Sequence, residues 1–140
     1  MAETTKANNW TYRNDMEWKR LFKTCVGTEQ SPINIDTSKI KECNELCKLS
    51  VRFNPSTCHI SNNNRTPIIR FELGSFIKFR NVLYELTKMT LHTPSMHSVN
   101  GKHFDMEAQL YFCLNPESCD DGGVIFSIFF QRGTAESPPN

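Results

Sequence analysis

The chain of 140 residues has no long hydrophobic run. Its most apolar stretch, Val124 to Phe130, contains Ser127 and falls far short of the ~20 residues that a membrane-spanning helix needs. It has no run of one charge sign either. Lys plus Arg number 16 against 15 for Asp plus Glu, a formal net charge of +1, so no basic arm for nucleic acid is expected. The N-terminal region carries Lys6, Arg13, Asp15, Glu17, Lys19 and Arg20 and no apolar stretch of signal-peptide length. That reads as an intracellular or virion-associated chain whose thiols are reduced by default. Six cysteines are too few for a mini-protein built on disulfides, and their number fixes no pairing. The sequons at Asn9 and Asn64 are read as chance.

What the chain does have is enough apolar side chain for one core. Leu, Ile, Val and Phe make up about a quarter of it, above the level at which chains stay disordered. The length suits a single domain. Residues 1–9 and the Pro-rich 136–140 read as flexible tails, leaving 10–135 as the folded unit. Asp15 to Phe22 has an acidic start with Trp18, Leu21 and Phe22 at helical spacing, which predicts one short helix.

From residue 48 onward the pattern has period two. Leu49, Val51 and Phe53 predict one strand, Ile69, Phe71 and Leu73 another, and Phe76 to Phe79 a third. Val82 to Thr93, Asp105 to Leu114 and Gly123 to Gln131 complete a set of about six. Gly74, Asn100-Gly101, Asn115-Pro116 and Asp121-Gly122-Gly123 supply turn chemistry, and Asn62 to Asn64 reads as a turn or strand edge. The fold class is mainly β, α+β with little helix, in a mostly antiparallel sheet.

Three segments go beyond a generic β pattern. They are Trp10-Thr11-Tyr12 with Trp18; Cys25-x-Gly27-x-x-Gln30-Ser31-Pro32-Ile33-Asn34-Ile35; and Tyr84 to Phe112 followed by Asp121-Gly122 and an apolar strand. In this order and spacing the chain resembles the α-type carbonic anhydrases, over about the first three fifths of that family's domain. The resemblance implies a twisted, mostly antiparallel sheet of carbonic anhydrase type, C-terminally truncated. It also implies a place for Zn²⁺, held by three imidazoles from two neighbouring strands. Those positions fall on Thr90, His92 and Gln109, so one imidazole remains. The family's proton-shuttle histidine falls on Arg65, which stays protonated. Its gating acid falls on Met96, and His97 falls on a buried structural histidine. Zinc is expected to be absent, and with it carbonate dehydratase activity.

Strand alternation puts Lys88, Thr90 and His92 on one face with Glu107, Gln109 and Tyr111, a polar cleft patch suited to a small anion, to a partner's side chain, or to satisfying itself as a vestigial cleft. His92, His97 and His103, even with Cys113 and Cys119, are not spaced for a second metal site. Cys43-x-x-x-Cys47 reads as loop thiols, and Cys25 holds a position whose bonded partner in secreted relatives lies outside the matched region. The basic residues Lys39, Lys41, Lys48, Arg70, Lys78 and Arg80 are candidates for a sulfated glycan, by similarity to the carbonic-anhydrase-like cell-surface-binding protein of poxviruses. The expected function is therefore a catalytically inactive binding or structural module. Its partner would be a protein, a second copy at an exposed sheet edge, or a glycan. The alternative is a zinc-dependent dehydratase or esterase with a remodelled metal site.

Overall fold

The computed structural model describes residues 19–43, 48–62, 65–119 and 123–133. The chain divides into two compact units, residues 1–32 and residues 33–140. In the first, residues 19–21 are helical and a 3-10 turn spans Lys23–Val26. Phe22, extended at φ −127°, ends the helix one residue before the predicted bound, and Asp15 to Trp18 lie outside the described residues. Gln30 Nε2 donates to Thr24 O at 2.9 Å and Gly27 O at 3.1 Å. Within the C-x-G-x-x-Q run, the glutamine thus braces the end of the 3-10 turn, bonding Gly27 O and sharing Thr24 O with the backbone N–H of Gly27.

The second unit carries ten strands among its described residues: β1 (Asn34–Ile35), β2 (Leu49–Arg52), β3 (Cys58–Asn62), β4 (Pro67–Phe71), β5 (Phe76–Phe79), β6 (Val82–His92), β7 (Ser98–Val99), β8 (Lys102–His103), β9 (Met106–Cys113) and β10 (Gly123–Phe130). Seven make one sheet in the order β10-β9-β6-β4-β3, with β5 on the first half of β6 and β2 on β5. Every pairing within it is antiparallel. A three-stranded sheet joins β1 to β7 in parallel and β7 to β8. The mainly β, mostly antiparallel expectation holds.

One face of the large sheet is the core. Ile77, Leu86, Ala108, Leu110 and Phe112 are buried, with Phe71, Tyr84, Met89, Leu91, Val124 and Phe126 packed against them. Burying a side chain such as Phe112 contributes about 1.5–3 kcal/mol. Successive residues point to opposite faces of a strand, so the residues between these form the second face.

Two hairpins turn through left-handed backbone at both central residues, Arg80 and Asn81 (φ 50° and 63°) and Asn100 and Gly101 (φ 49° and 77°). The second was legible as Asn-Gly; the first was not, because Arg is a poor marker of positive φ. β3 was missed as a strand because Ile60 is the sole large apolar residue between Cys58 and Asn62. β2 and β4 stop at Arg52 and Phe71, before the predicted Phe53 and Leu73. The thiols also differ from the default. Cys113 and Cys119, six residues apart with Cα atoms 5.2 Å from each other, form a disulfide, a separation within bridging range. Cys43 is disulfide-bonded too, whereas Cys25 and Cys58 are free.

Candidate functional site

β6 reaches the site by way of a bulge. The register with β9 runs Glu85↔Cys113 and Leu86↔Phe112, then skips Thr87 and resumes at Lys88↔Tyr111, Thr90↔Gln109 and His92↔Glu107. Because of this extra residue, Leu86 shares the core face with Met89 and Leu91, and Lys88, Thr90 and His92 turn to the other side. Thr87 Oγ1 donates to Tyr111 O at 3.2 Å and lies 3.5 Å from Cys113 Sγ. The bulged residue is therefore tied to the strand it fails to pair with. Alternation from Lys88 onward was legible in the sequence; the bulge that sets its phase was not.

Glu107 is the hub of this face. Its side chain is fully buried. Oε2 accepts from the backbone N–H groups of Met96 (2.8 Å) and His97 (2.9 Å), and Oε1 accepts from His97 Nδ1 (2.7 Å) and Gln109 Nε2 (2.9 Å). Burial alone pushes the carboxyl pKa up. The hydrogen bonds from Gln109, His97 and Ser127 outweigh that and hold it down to about 2. An ionised carboxylate only accepts, so His97 Nδ1 carries a proton and Gln109 must present its NH₂ to Glu107. The amide oxygen of Gln109 is thereby aimed at Tyr111, whose OH donates to it at 3.1 Å.

On β6, Thr90 Oγ1 and His92 Nε2 are hydrogen-bonded at 3.0 Å. Burial pushes the His92 imidazole pKa down, with partial opposition from the charge of Glu107. Lys88 Nζ lies 4.7 Å from the centroid of the Tyr111 ring, within cation–π range.

The six cleft residues therefore come together, Lys88, His92 and Tyr111 half-buried and Thr90, Gln109 and Glu107 buried. Met96 contributes a backbone N–H and no acid; Arg65 is exposed at the approach to β4. His97 is bound to Glu107, and His103 Nδ1 bonds Ser95 O at 2.7 Å. The basic set predicted for a glycan falls in several places, with Lys48 and Arg80 flanking the opposed pair Leu49 and Phe79. Lys39 pairs with Asp36 at 3.1 Å, Lys41 and Lys48 are exposed on the chain leading to β2, and Lys78 and Arg80 belong to the β5–β6 hairpin. Arg70 stands apart on β4, opposite Lys88. Ser127, opposite Gln109 on β10, was not foreseen, since only the register reveals it.

A curled antiparallel sheet with a polar, hydrogen-bonded face on its two central strands is the carbonic anhydrase fold. The α-carbonic anhydrase of Thermovibrio ammonificans, solved with the inhibitor sulfanilamide, superposes with a TM-score of 0.75 at 26% identity, covering 89% of this chain and 56% of that one. A dioscorin complexed with ascorbate gives 0.71 at 28% identity, covering 86% and 49%. The chain belongs to the eukaryotic-type carbonic anhydrase family, whose model matches residues 13–139. Dioscorin DB3L of Dioscorea polystachya is 32% identical, covering 91% of this chain and 44% of that protein. A carbonic anhydrase of Nostoc sp. is 28% identical, covering 91% and 50%. The chain spans about half the length of these curated relatives.

Proposed function

We propose that this carbonic-anhydrase-type domain does not hydrate carbon dioxide and serves as a binding module. The observation that carries the reading is the donor set at the three positions assigned to zinc. Protein zinc ligands are thiolates, imidazoles and carboxylates, whereas these positions offer a hydroxyl, one imidazole and an amide. All three are already engaged: Thr90 with His92, and Gln109 with Glu107 and Tyr111. Such a set does not fit the ion, so no catalytic step is assigned through it. Arg65 and Met96 at the shuttle and gate positions support the same reading. A dioscorin of this fold holds ascorbate, which supports a small-ligand role for the cleft face here.

The test is zinc content by elemental analysis on untagged, chelator-dialysed protein, with a carbon dioxide hydration assay on the same sample. Near-zero zinc and no hydration above background are expected; stoichiometric zinc with hydration would end the reading.

A partner at the sheet edge is supported by a separate observation. Among the described residues β10 pairs only with β9, and Ile125, Ile128 and Phe130 on it are exposed. An apolar edge with one unpaired backbone side is a template for another strand. Sedimentation equilibrium checks it: association lost in Ile125→Lys supports edge pairing, and a monomer at all concentrations removes self-pairing.

A further inference from the structure

The face that carries Thr90 and Gln109 continues across β4 to β3. Directly opposed residues on antiparallel strands share a face, with Cβ atoms ~5 Å apart. His59 is opposite Arg70, Arg70 is opposite Lys88, and Lys88 is opposite Tyr111. Two permanent cations thus stand side by side, an arrangement that destabilises a sheet unless something relieves it.

Nothing in the chain does so among its described residues. Arg70 Nη1 donates to the neutral Ser61 Oγ at 3.2 Å, and Lys88 rests on the Tyr111 ring. Neither has a carboxylate partner. The nearby acids are committed or unpaired with them: Glu85 Oε1 accepts from Gly74 N at 2.7 Å, Glu107 is buried under its own donors, and Glu72, two residues along from Arg70, forms no ion pair with it.

We propose that this row is an oxyanion site, in which a carboxylate, sulfate or phosphate group bridges Arg70 and Lys88 beside the cleft. A guanidinium offers paired N–H donors to such a group and an ammonium adds a compact point charge. His59, next along the row, adds a further ring nitrogen on the same face. The bound anion removes the repulsion that the register creates. A single group fits better than a long polyanion, because the chain's net charge is only +1 and this row holds just the one directly opposed pair of permanent cations. The site deepens the binding-module reading and rests on it, while involving no metal.

The experiment uses the full chain after chelation, with zinc measured on the same sample. Thermal midpoints are followed against sulfate, phosphate and acetate at an ionic strength held constant with chloride. A saturable rise is expected in the unmodified chain. Lys88→Gln and Arg70→Gln should weaken half-saturation by about tenfold or more, the worth of one charge-assisted hydrogen bond. Lys88→Arg should retain it. A sulfated oligosaccharide of defined length forms the second arm. Half-saturation equal to free sulfate makes the ligand an isolated group, and tighter, Lys88-dependent saturation makes a glycan its source; both support the site.

Equal, non-saturating rises in the unmodified chain and all variants are the general effect of excluded anions on folding and overturn it. Should the Gln variants not fold, the unmodified chain decides by amide chemical shifts. Sulfate-induced changes centred on Arg70 and Lys88 support the site, and changes elsewhere overturn it. Stoichiometric zinc with an intact Lys88-dependent response fails the metal reading alone. Absent zinc with no such response fails this inference alone.

Discussion

The two faces of β9 are buried to the same depth by different rules. Leu110 and Phe112 are 6% and 1% exposed on the core side, and Gln109 and Glu107 are 7% and 0% exposed on the other. The core side is held by contact area, which is non-directional and tolerates substitution by shape. The opposite side is held by donors and acceptors that must be matched one for one. Glu107 has no slack: its two oxygens receive two backbone N–H groups, an imidazole N–H and an amide N–H. A polar network this closed fixes the orientations of the His97 ring and the Gln109 amide.

The comparison breaks most visibly at Glu107 and Phe112. Glu107→Ala should cost about 3–5 kcal/mol because it strands buried donors, and Phe112→Ala a similar amount through a cavity. Their conservative variants should part company. Phe112→Leu keeps much of the apolar volume and should cost clearly less than Phe112→Ala. Glu107→Gln keeps shape but turns an NH₂ toward groups that donate, and should still cost about 1–3 kcal/mol. Urea midpoints measure all four, and a Glu107→Gln protein as stable as the unmodified chain would contradict the hub. The neighbouring pair repeats the contrast, Leu110→Ala at about 2–5 kcal/mol and Gln109→Ala at about 1–3.

Of the two faces of β9, acid should act on the polar one. The Glu107 carboxyl lies at about 2 against an ordinary 4.5, so the folded chain binds that proton less readily than the unfolded one. Its stabilisation is complete above about 4.5 and fades as pH falls toward about 2. Burial puts the His92 imidazole below its ordinary 6.5, so stability also begins to decline as pH drops past 6.5. Urea midpoints between pH 8 and pH 2 should show both limbs; His92→Gln should remove the upper one and leave the lower. The smallest effect belongs to the edge: Ile125→Lys should change stability by within about 0.5 kcal/mol while altering association.

Much of this was legible in residues that act through periodicity. The alternation of β6 after Lys88 and of β9 marks the six cleft residues as sharing one face, and Asn100-Gly101 announces its turn. What escaped depends on pairing between distant segments. The Thr87 bulge leaves no local mark, Ser127 meets Glu107 only through the β9–β10 register, and Arg70 meets Lys88 only through β4–β6. The Cys113–Cys119 bond was hidden for a related reason: cysteine spacing restricts pairings without choosing among them.

The most direct test of the account is zinc stoichiometry in the unmodified chain beside the Thr90→His, Gln109→His double variant, both untagged and dialysed against a mild chelator. The account predicts zinc near zero in the first and raised toward one per chain in the second, where three imidazoles face one another across β6 and β9. Zinc near one per chain in the unmodified protein would contradict it.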